Sequence, residues 1–215
     1  MANKEHLDLV LQGLEAWNKF RRTQPDVQPD LSGADLSGYD FTRMDFTKTD
    51  FTGSDLSDAY MLQTNLEEAN LTKANLTEAD IIDANLIKAV LTNANLFMAD
   101  LSGTGMVRAN LERADLSKAN MTRTALPWGL LRGCKLVEAN LKMADLREAD
   151  LTNADLSQAN LQDASLTGTI FRGTNLQTTK NISFELLGKS KTLHNAQLNQ
   201  ITQETIETNF PHLLK

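Results

Sequence analysis

The sequence predicts an all-β solenoid of square coils, and the spacing of its apolar residues carries that prediction. Every fifth residue from Leu31 to Leu176 is Leu, Phe, Met or Ile, without an exception over thirty positions. On an α-helix, residues five apart lie about 140° apart around the axis and would cover every face. On a flat strand, residues an odd number apart point to opposite sides of the sheet. Neither element buries all of these side chains, so the chain must bend once in every repeat.

The residues around each apolar centre support such a bend. Two positions before the centre stands a small residue, which is alanine at 18 of the 30 sites, and this strand spacing points both side chains inward. Asp or Asn fills the position between them at 22 sites, and these side chains favour turns because they hydrogen-bond to nearby backbone. We therefore place Asp and Asn at the corners, and the two residues after each centre on the outward faces.

A bend of about 90° in each repeat closes a square after four repeats, or about twenty residues, and stacked coils lie about 4.8 Å apart. Thirty repeats then give about 7.5 coils and a tower about 35 Å high. A leucine-rich helical protein is the alternative that this regularity disfavours.

The repeated pattern is plain in "ANLTKANLTEAD" (69–80) and "ANLERADLSKAN" (109–120). It resembles the pentapeptide-repeat family, and the resemblance covers residues 30–176. It implies a right-handed quadrilateral β-helix of about 7.5 coils, to which we add short α-helical caps at both ends. We accordingly expect an N-terminal capping helix and linker (1–29), the β-helix (30–176) and a C-terminal helical cap (177–215).

An open stack of coils leaves apolar surface and unpaired backbone at each end, so a solenoid needs caps. At the N-terminal end we predict one amphipathic helix with Asn3 as its N-cap, ended by Pro25 and Pro29. Its apolar residues are spaced by three and four positions. They are Leu7, Val10, Leu11, Leu14, Trp17 and Phe20.

The first coil offers this helix an aromatic floor of Phe41, Phe46 and Phe51. We expect a cap and not an amphipathic membrane anchor, because Asp8 and Glu15 would repel anionic lipid. The C-terminal segments 182–198 and 199–215 predict short helices with Gly188 and Pro211 as stops. In some members of the family such an extension mediates dimers, so both a monomer and a homodimer remain open.

Composition disfavours several classes of protein. The net charge is −7, from 21 basic and 28 acidic residues, which argues against direct binding to nucleic acid or to an anionic membrane. Cys134 is the single cysteine, so no internal disulfide forms. The N-terminus carries acidic residues through its apolar stretch and is not a signal peptide, and no run approaches about 18 apolar residues. We expect a soluble, cytoplasmic protein.

The residues that catalyse reactions or bind metals are sparse. The three histidines, His6, His194 and His212, lie outside the repeats and lack the spacing of metal ligands. Cys134 occupies an inward position, where a buried thiol is inert. Asp and Asn recur for a structural reason and give no sign of acid–base chemistry. We expect neither an enzyme nor a cofactor.

Outward apolar residues indicate a protein-contact patch, because residues twenty apart stack in successive coils. Ile87, Val107 and Pro127 form such a column, with Trp128 beside it and two more apolar residues at the adjoining corner. The candidate patch, as we call it below, comprises Ile87, Val90, Val107, Trp128 and Leu130. The segment 124–136 lacks Asp and Asn at three positions, so a kinked stretch whose apolar groups cover one another is an equal alternative.

The sequence favours a non-catalytic interaction or scaffold protein that presents rigid faces to a protein partner. One branch of the family resembles DNA in shape and charge and binds type II topoisomerases, which makes a DNA mimic of this kind, directed at DNA gyrase, the alternative. Six aspartates between Asp30 and Asp55 support that alternative. A basic column of Lys73, Arg113, Arg132 and Arg172 opposes it. A module released from a larger signalling protein is a third possibility.

Overall fold

The computed structural model describes residues 2–215, and its centre is a β-helix with twenty residues in each coil. Residues pair in parallel with residues twenty positions later, from Asp30 with Asp50 to Asn160 with Lys180. Backbone hydrogen bonds flank each pairing; the Leu71 N–H, for example, donates to the Val90 carbonyl at 2.7 Å. The predicted quadrilateral β-helix is confirmed.

The corners of each coil lie at the two residues after each apolar centre. In the repeat at Leu71, the Ala74 N–H donates to the Leu71 carbonyl at 3.0 Å, so Thr72 and Lys73 form the middle of a β-turn. Lys73 has φ 60°, as the third residue of a type II turn requires. Asn70 instead lies on the flat face, in the parallel pairing. Our assignment of Asp and Asn to the corners was therefore wrong.

Asp and Asn nevertheless stabilise the corners, because their side chains on the flat face accept hydrogen bonds from the turn that follows. The Thr72 N–H donates to Asn70 Oδ1 at 3.2 Å, and the Thr72 hydroxyl donates to the same atom at 2.7 Å. The Asn70 amide also donates to Asp50 Oδ1 in the preceding coil, at 3.2 Å. These side chains therefore join neighbouring coils as well as fixing the bend.

The core is a stack of the apolar centres, and every one from Leu31 to Leu176 is at most 1% exposed. The small residues fill the space beside them. Where threonine stands at a small-residue position with a complete coil before it, its hydroxyl bonds to that coil: Thr104 Oγ1 donates to the Ile81 carbonyl at 2.7 Å. These buried hydroxyls are therefore satisfied by a carbonyl of the preceding coil.

Two helices cap the N-terminal end, where one was predicted. Helix α1 (Lys4–Leu11) begins at the predicted N-cap, Asn3, whose Oδ1 accepts hydrogen bonds from two N–H groups of the first turn. Helix α2 (Leu14–Thr23) follows after a break at Gly13, which has φ 92°. Glycine adopts this backbone conformation without the steric cost that other residues bear, and it ends the first helix.

At the C-terminal end, parallel pairing continues beyond the sequence-based boundary at residue 176. Thr192 pairs with Ile170, and Gln197 pairs with Asn175. These partners are twenty-two residues apart because the one-turn helix α3 (Phe184–Leu187) is inserted in the coil. Helix α4 (Gln200–Asn209) and a 3₁₀ helix (Pro211–Leu214) then cover the end. Only one helical turn forms within 182–198, and the predicted stop at residue 211 begins the 3₁₀ helix.

Candidate protein-contact surface

Three residues of the candidate patch, Ile87, Val107 and Trp128, belong to turns that stack at one corner of the β-helix. The Lys88 N–H donates to the Val107 carbonyl at 2.9 Å, and the Arg108 N–H donates to the Pro127 carbonyl of the next coil at 3.1 Å. The column is therefore held by backbone hydrogen bonds, and its side chains sit on a rigid edge.

The other two residues of the candidate patch lie on the adjoining flat face, and not at the corner that the sequence reasoning gave them. Val90 pairs with Asn110, and Asn110 pairs with Leu130. Val90 and Leu130 are thus two coils apart, with a polar residue between them. The patch consists of an apolar corner and two apolar residues on the face beside it.

Exposure differs sharply among the apolar residues of this corner. Trp128 is 54% exposed, whereas Ile87 and Val107 are partly buried. Pro127, which we placed in the outward column, is buried and offers no contact surface. At this corner only the indole of Trp128 is therefore widely exposed.

The segment 124–136 keeps the register of its neighbours and shows no kink. Ala125 pairs with Asp145, and the Leu126 N–H donates to the Asp145 carbonyl at 2.8 Å. Gly129 occupies the small-residue position, where an added Cβ would come within 2.5 Å of Leu126 Cδ2. Close packing at a glycine, and not a bend, accommodates this stretch.

Charged side chains border the candidate patch. The guanidinium carbon of Arg108 lies 5.8 Å from the centroid of the Trp128 ring, within the range of a cation–π contact. Lys88 pairs with Glu68 at 2.9 Å. An apolar centre with a charged border is the usual anatomy of a protein interface.

Charge is distributed unevenly along the tower. Residues 26–100 contain fourteen acidic and four basic residues, a net charge of −10, whereas residues 101–180 contain eight acidic and ten basic residues, a net charge of +2. The change of sign falls at the level of Val107, within the candidate patch. The sequence showed the acidic end and the basic column, and the fold places the boundary between them at the level of the candidate patch.

Ion pairs moderate the basic column that the sequence predicted. Arg132 Nε donates to Asp150 Oδ2 at 2.7 Å, and its Nη1 lies 3.7 Å from Glu112 Oε1. Burial would raise the pKa of Asp150, but hydrogen bonds from Thr152 and Arg132 outweigh it and hold the pKa below its ordinary value. This column is therefore less electropositive than its arginines alone suggest.

Two findings bear on metal binding and on the single cysteine. Among residues 2–215, no group of three or more His, Cys, Asp or Glu side chains is placed to hold a metal ion. Burial raises the pKa of the Cys134 thiol to about 12, and its Sγ donates to the Leu111 carbonyl at 2.7 Å, so this thiol is a weak nucleophile. No helix within 2–215 is long and apolar enough to cross a membrane.

Comparison with known proteins bears on the fold and on the repeat. A family model described as pentapeptide repeats matches in eight copies, over residues 30–63, 59–96, 94–128, 130–163 and 144–180. No curated protein matches the sequence significantly.

Among solved structures, a trypsin-treated variant of QnrB1, a plasmid-mediated fluoroquinolone resistance protein, superposes with a TM-score of 0.56 at 15% identity, over 86% of this chain and 96% of that one. HetL, a heterocyst differentiation protein of the cyanobacterium Nostoc sp. strain PCC 7120, is 26% identical over 92% of this chain and 94% of its own, with a TM-score of 0.29. The likeness to QnrB1 concerns the fold alone.

Proposed function

Because the chain belongs to the pentapeptide-repeat family, we propose that it is a non-catalytic interaction protein that presents the candidate patch to a protein partner. Proteins of this family are generally structural or interaction proteins and not enzymes. The observation that carries the proposal is the exposure of Trp128, 54%, on a corner whose backbone is fixed by hydrogen bonds to the coils on either side.

Physical arguments favour this corner over the others. Tryptophan and arginine are enriched among the residues that dominate binding energies, and here Arg108 lies over Trp128. The indole is held on a rigid backbone, which lowers the entropic cost of binding. The side chain points away from the core, so its size serves contact with another molecule more than it serves packing.

Serine substitutions at the corner test the proposal. The triple variant Ile87→Ser, Val107→Ser and Trp128→Ser should keep the circular dichroism spectrum of the wild type and lose the partner captured by the tagged wild-type protein. The matched control is Leu62→Ser with Ile82→Ser, since these residues are outward apolar groups at another corner of the β-helix. A triple variant that captures the same partner as strongly as the control would overturn the proposal.

A second candidate function is that of a DNA mimic that binds a type II topoisomerase such as DNA gyrase. The net charge of −10 over residues 26–100 favours it, and QnrB1, a fluoroquinolone resistance protein, shares the fold. The net charge of +2 over residues 101–180 weakens it, because a mimic of DNA needs negative charge along the whole tower. Inhibition of gyrase supercoiling at stoichiometric protein would promote this function, and no effect in large excess would remove it.

A further inference from the structure

The flat face beside Trp128 carries an excess of positive charge in a chain that is acidic overall. Over three successive coils this surface consists of residues 87–93, 107–113 and 127–133, each a turn, a flat stretch and the next turn. We call it the Asn110 face, because Asn110 lies at its centre. Its residues include four bases and one acid, a net charge of +3, whereas the whole chain has a net charge of −7.

Two of the four bases are already paired with carboxylates. Lys88 Nζ lies 2.9 Å from Glu68 Oε1 in the coil before the Asn110 face. Arg132 pairs with Asp150 in the coil after the face, at 2.7 Å, and lies 3.7 Å from Glu112, the one acid within it. These two bases are therefore directed to the upper and lower borders of the face, where their charges are matched.

The other two bases, Arg108 and Arg113, are exposed, and neither forms an ion pair within residues 2–215. They lie in the middle coil, one at each corner of the face. Arg108 extends over Trp128 in the next coil. The stem of Arg113 lies beside Gly133 of that same coil, where an added Cβ would be 3.6 Å from Arg113 Cγ. Leu130 lies on the flat stretch between them, so two unpaired cations flank an apolar centre.

A hollow at the second corner gives access to one of these cations. Its volume is about 310 Å³, and its lining consists of Thr92, Glu112, Arg113 and Arg132. Glu112 is directed to Arg132, which leaves the donors of Arg113 without a carboxylate from this chain. Because a guanidinium binds a carboxylate through two parallel hydrogen bonds, this hollow suits an acidic side chain from another molecule.

We propose that the Asn110 face binds an acidic peptide segment of the partner protein. An apolar side chain of the segment lies against Trp128 and Leu130, and carboxylates on either side of it bind Arg108 and Arg113. The inference rests on the proposed function, whose partner it describes by its chemistry. Complementary charge across an interface speeds association and rejects partners of like charge, and a desolvated apolar centre strengthens the contacts around it.

The coils that border the Asn110 face favour a peptide over a nucleic acid. Residues 67–73, in the coil before it, contain two acids and one base, and so do residues 147–153, in the coil after it. The positive surface is therefore only three coils high, about 14 Å at strand spacing. A nucleic acid is negative along its whole backbone and would meet the acids beyond this surface. A short acidic segment that lies across the face avoids them.

Selection from a library of short random peptides tests this chemistry without choosing a partner in advance. The wild-type protein should enrich peptides that carry several Asp or Glu residues beside an apolar one. The double glutamate variant, Arg108→Glu with Arg113→Glu, should not enrich these peptides and should select basic ones instead. Enrichment of basic or uncharged peptides by the wild type, or no enrichment at all, would overturn the inference.

The matched control is Arg123→Glu with Lys142→Glu. These bases lie at another corner of the β-helix, and their replacement changes the net charge by the same amount. The control should select the same peptides as the wild type, and both double variants should retain its circular dichroism spectrum. A loss of acidic peptides that is as large in the control would mean that the overall charge, and not the Asn110 face, attracts them, which would also overturn the inference.

Fluorescence anisotropy of a labelled, selected peptide locates its site. The dissociation constant should rise at least tenfold in Trp128→Ser and in the double glutamate variant, and it should rise with salt concentration. Val107→Asp should have a similar effect, because it places a carboxylate beside Arg108. An unchanged dissociation constant in these variants, or tighter binding of a labelled oligonucleotide than of the peptide, would contradict the proposal.

Failure of this inference differs from failure of the proposed function. If the triple serine variant loses the captured partner while the double glutamate variant retains it at full strength, the corner is a contact surface but its partner is not acidic. If the triple serine variant retains the captured partner, the proposed function fails and this inference fails with it. Loss of the partner in both variants, with acidic peptides selected by the wild type, supports both.

Discussion

The indole Nε1 of Trp17 donates to the backbone carbonyl of Asp45 at 2.7 Å, and this bond joins helix α2 to the first coil of the β-helix. In later coils the equivalent carbonyl accepts a hydrogen bond from a backbone N–H of the preceding coil; the Asn65 carbonyl, for example, accepts from the Phe46 N–H. No coil precedes Asp45, so its carbonyl needs another donor. Arg21 Nη2 supplies a second bond of this kind, to the Thr47 carbonyl at 2.9 Å. The N-terminal helices therefore satisfy the backbone edge of the solenoid as well as covering its apolar end.

Substitutions at Trp17 separate these two roles. Trp17→Phe keeps most of the ring packing on Phe46, 5.1 Å away between centroids, but leaves the Asp45 carbonyl unpaired. It should lower the free energy of unfolding by about 1–3 kcal/mol. Trp17→Ala also removes the buried ring and should cost about 3–5 kcal/mol. Urea titrations measure both values. Equal losses in the two variants would mean that packing of the ring contributes nothing.

Removal of residues 1–24 extends the same argument to the whole cap. The truncated protein should expose the aromatic groups of the first coil, Phe41 and Phe46 among them, and should aggregate. Light scattering and thermal melting provide the measurements. A truncated protein that stays monomeric and melts at the full-length temperature would show that these helices do not act as a cap.

A buried hydroxyl without a partner marks the place where the coils begin. Thr49 Oγ1 is buried and has no hydrogen-bond partner among the described residues, because no coil lies before it to present a carbonyl. Thr49→Val should therefore raise the free energy of unfolding by about 1 kcal/mol. Thr104→Val is the matched control and should lower it by about 1–3 kcal/mol, since the Ile81 carbonyl then loses its donor. Opposite signs in the two variants are the expected result; a loss at both positions would contradict it.

The corners of the coils show which parts of this architecture could be predicted from the sequence. The five-residue period correctly placed every apolar centre inside. The preference of Asp and Asn for turns did not show whether they lie in the turn itself or on the flat face just before it. The glycines carried the missing signal. Seven of the eleven occupy the position two after a centre, and all seven have positive φ. They are Gly33, Gly38, Gly53, Gly103, Gly133, Gly168 and Gly173.

The surface was less predictable than the core. Spacing alone aligned Ile87 with Val107, but periodicity does not encode how far each outward residue is covered, and Pro127 of the same column is buried. The break between α1 and α2 could have been predicted, since Gly13 interrupts the predicted helix. The contact between Arg108 and Trp128 joins residues twenty positions apart, so it could be predicted only once the length of a coil was known.

Acid should unfold the protein through its face carboxylates. Hydrogen bonds from the following turn, joined in some cases by a nearby base, hold several of their pKa values below the ordinary value. They include Asp30, Asp40, Asp55, Asp115, Asp145 and Asp150. A carboxyl with a lowered folded-state pKa contributes stability above its unfolded pKa, about 3.9, and loses that contribution as pH falls through the folded pKa. The melting temperature should therefore be level from pH 7 to about 5 and fall below about pH 4.

Asp150→Asn tests this dependence at one site. The amide keeps an acceptor for Thr152 but loses the charge that pairs with Arg132, so at pH 7 it should cost at most about 1 kcal/mol. Below pH 4 the variant should lose stability less steeply than the wild type, because one titrating group is gone. Urea titrations at pH 7, 4 and 3 measure the difference. An identical slope in the two proteins would contradict the assignment.

The claim that the corner around Trp128 is a contact surface is tested most directly by acrylamide quenching of tryptophan fluorescence. Trp17 is fully buried, so the quenchable emission belongs to Trp128, which is 54% exposed. When the captured partner is added and its own emission is subtracted, the quenching constant should fall severalfold in the wild type and stay high in Val107→Asp. Full access of acrylamide to Trp128 in the assembled protein would contradict the account.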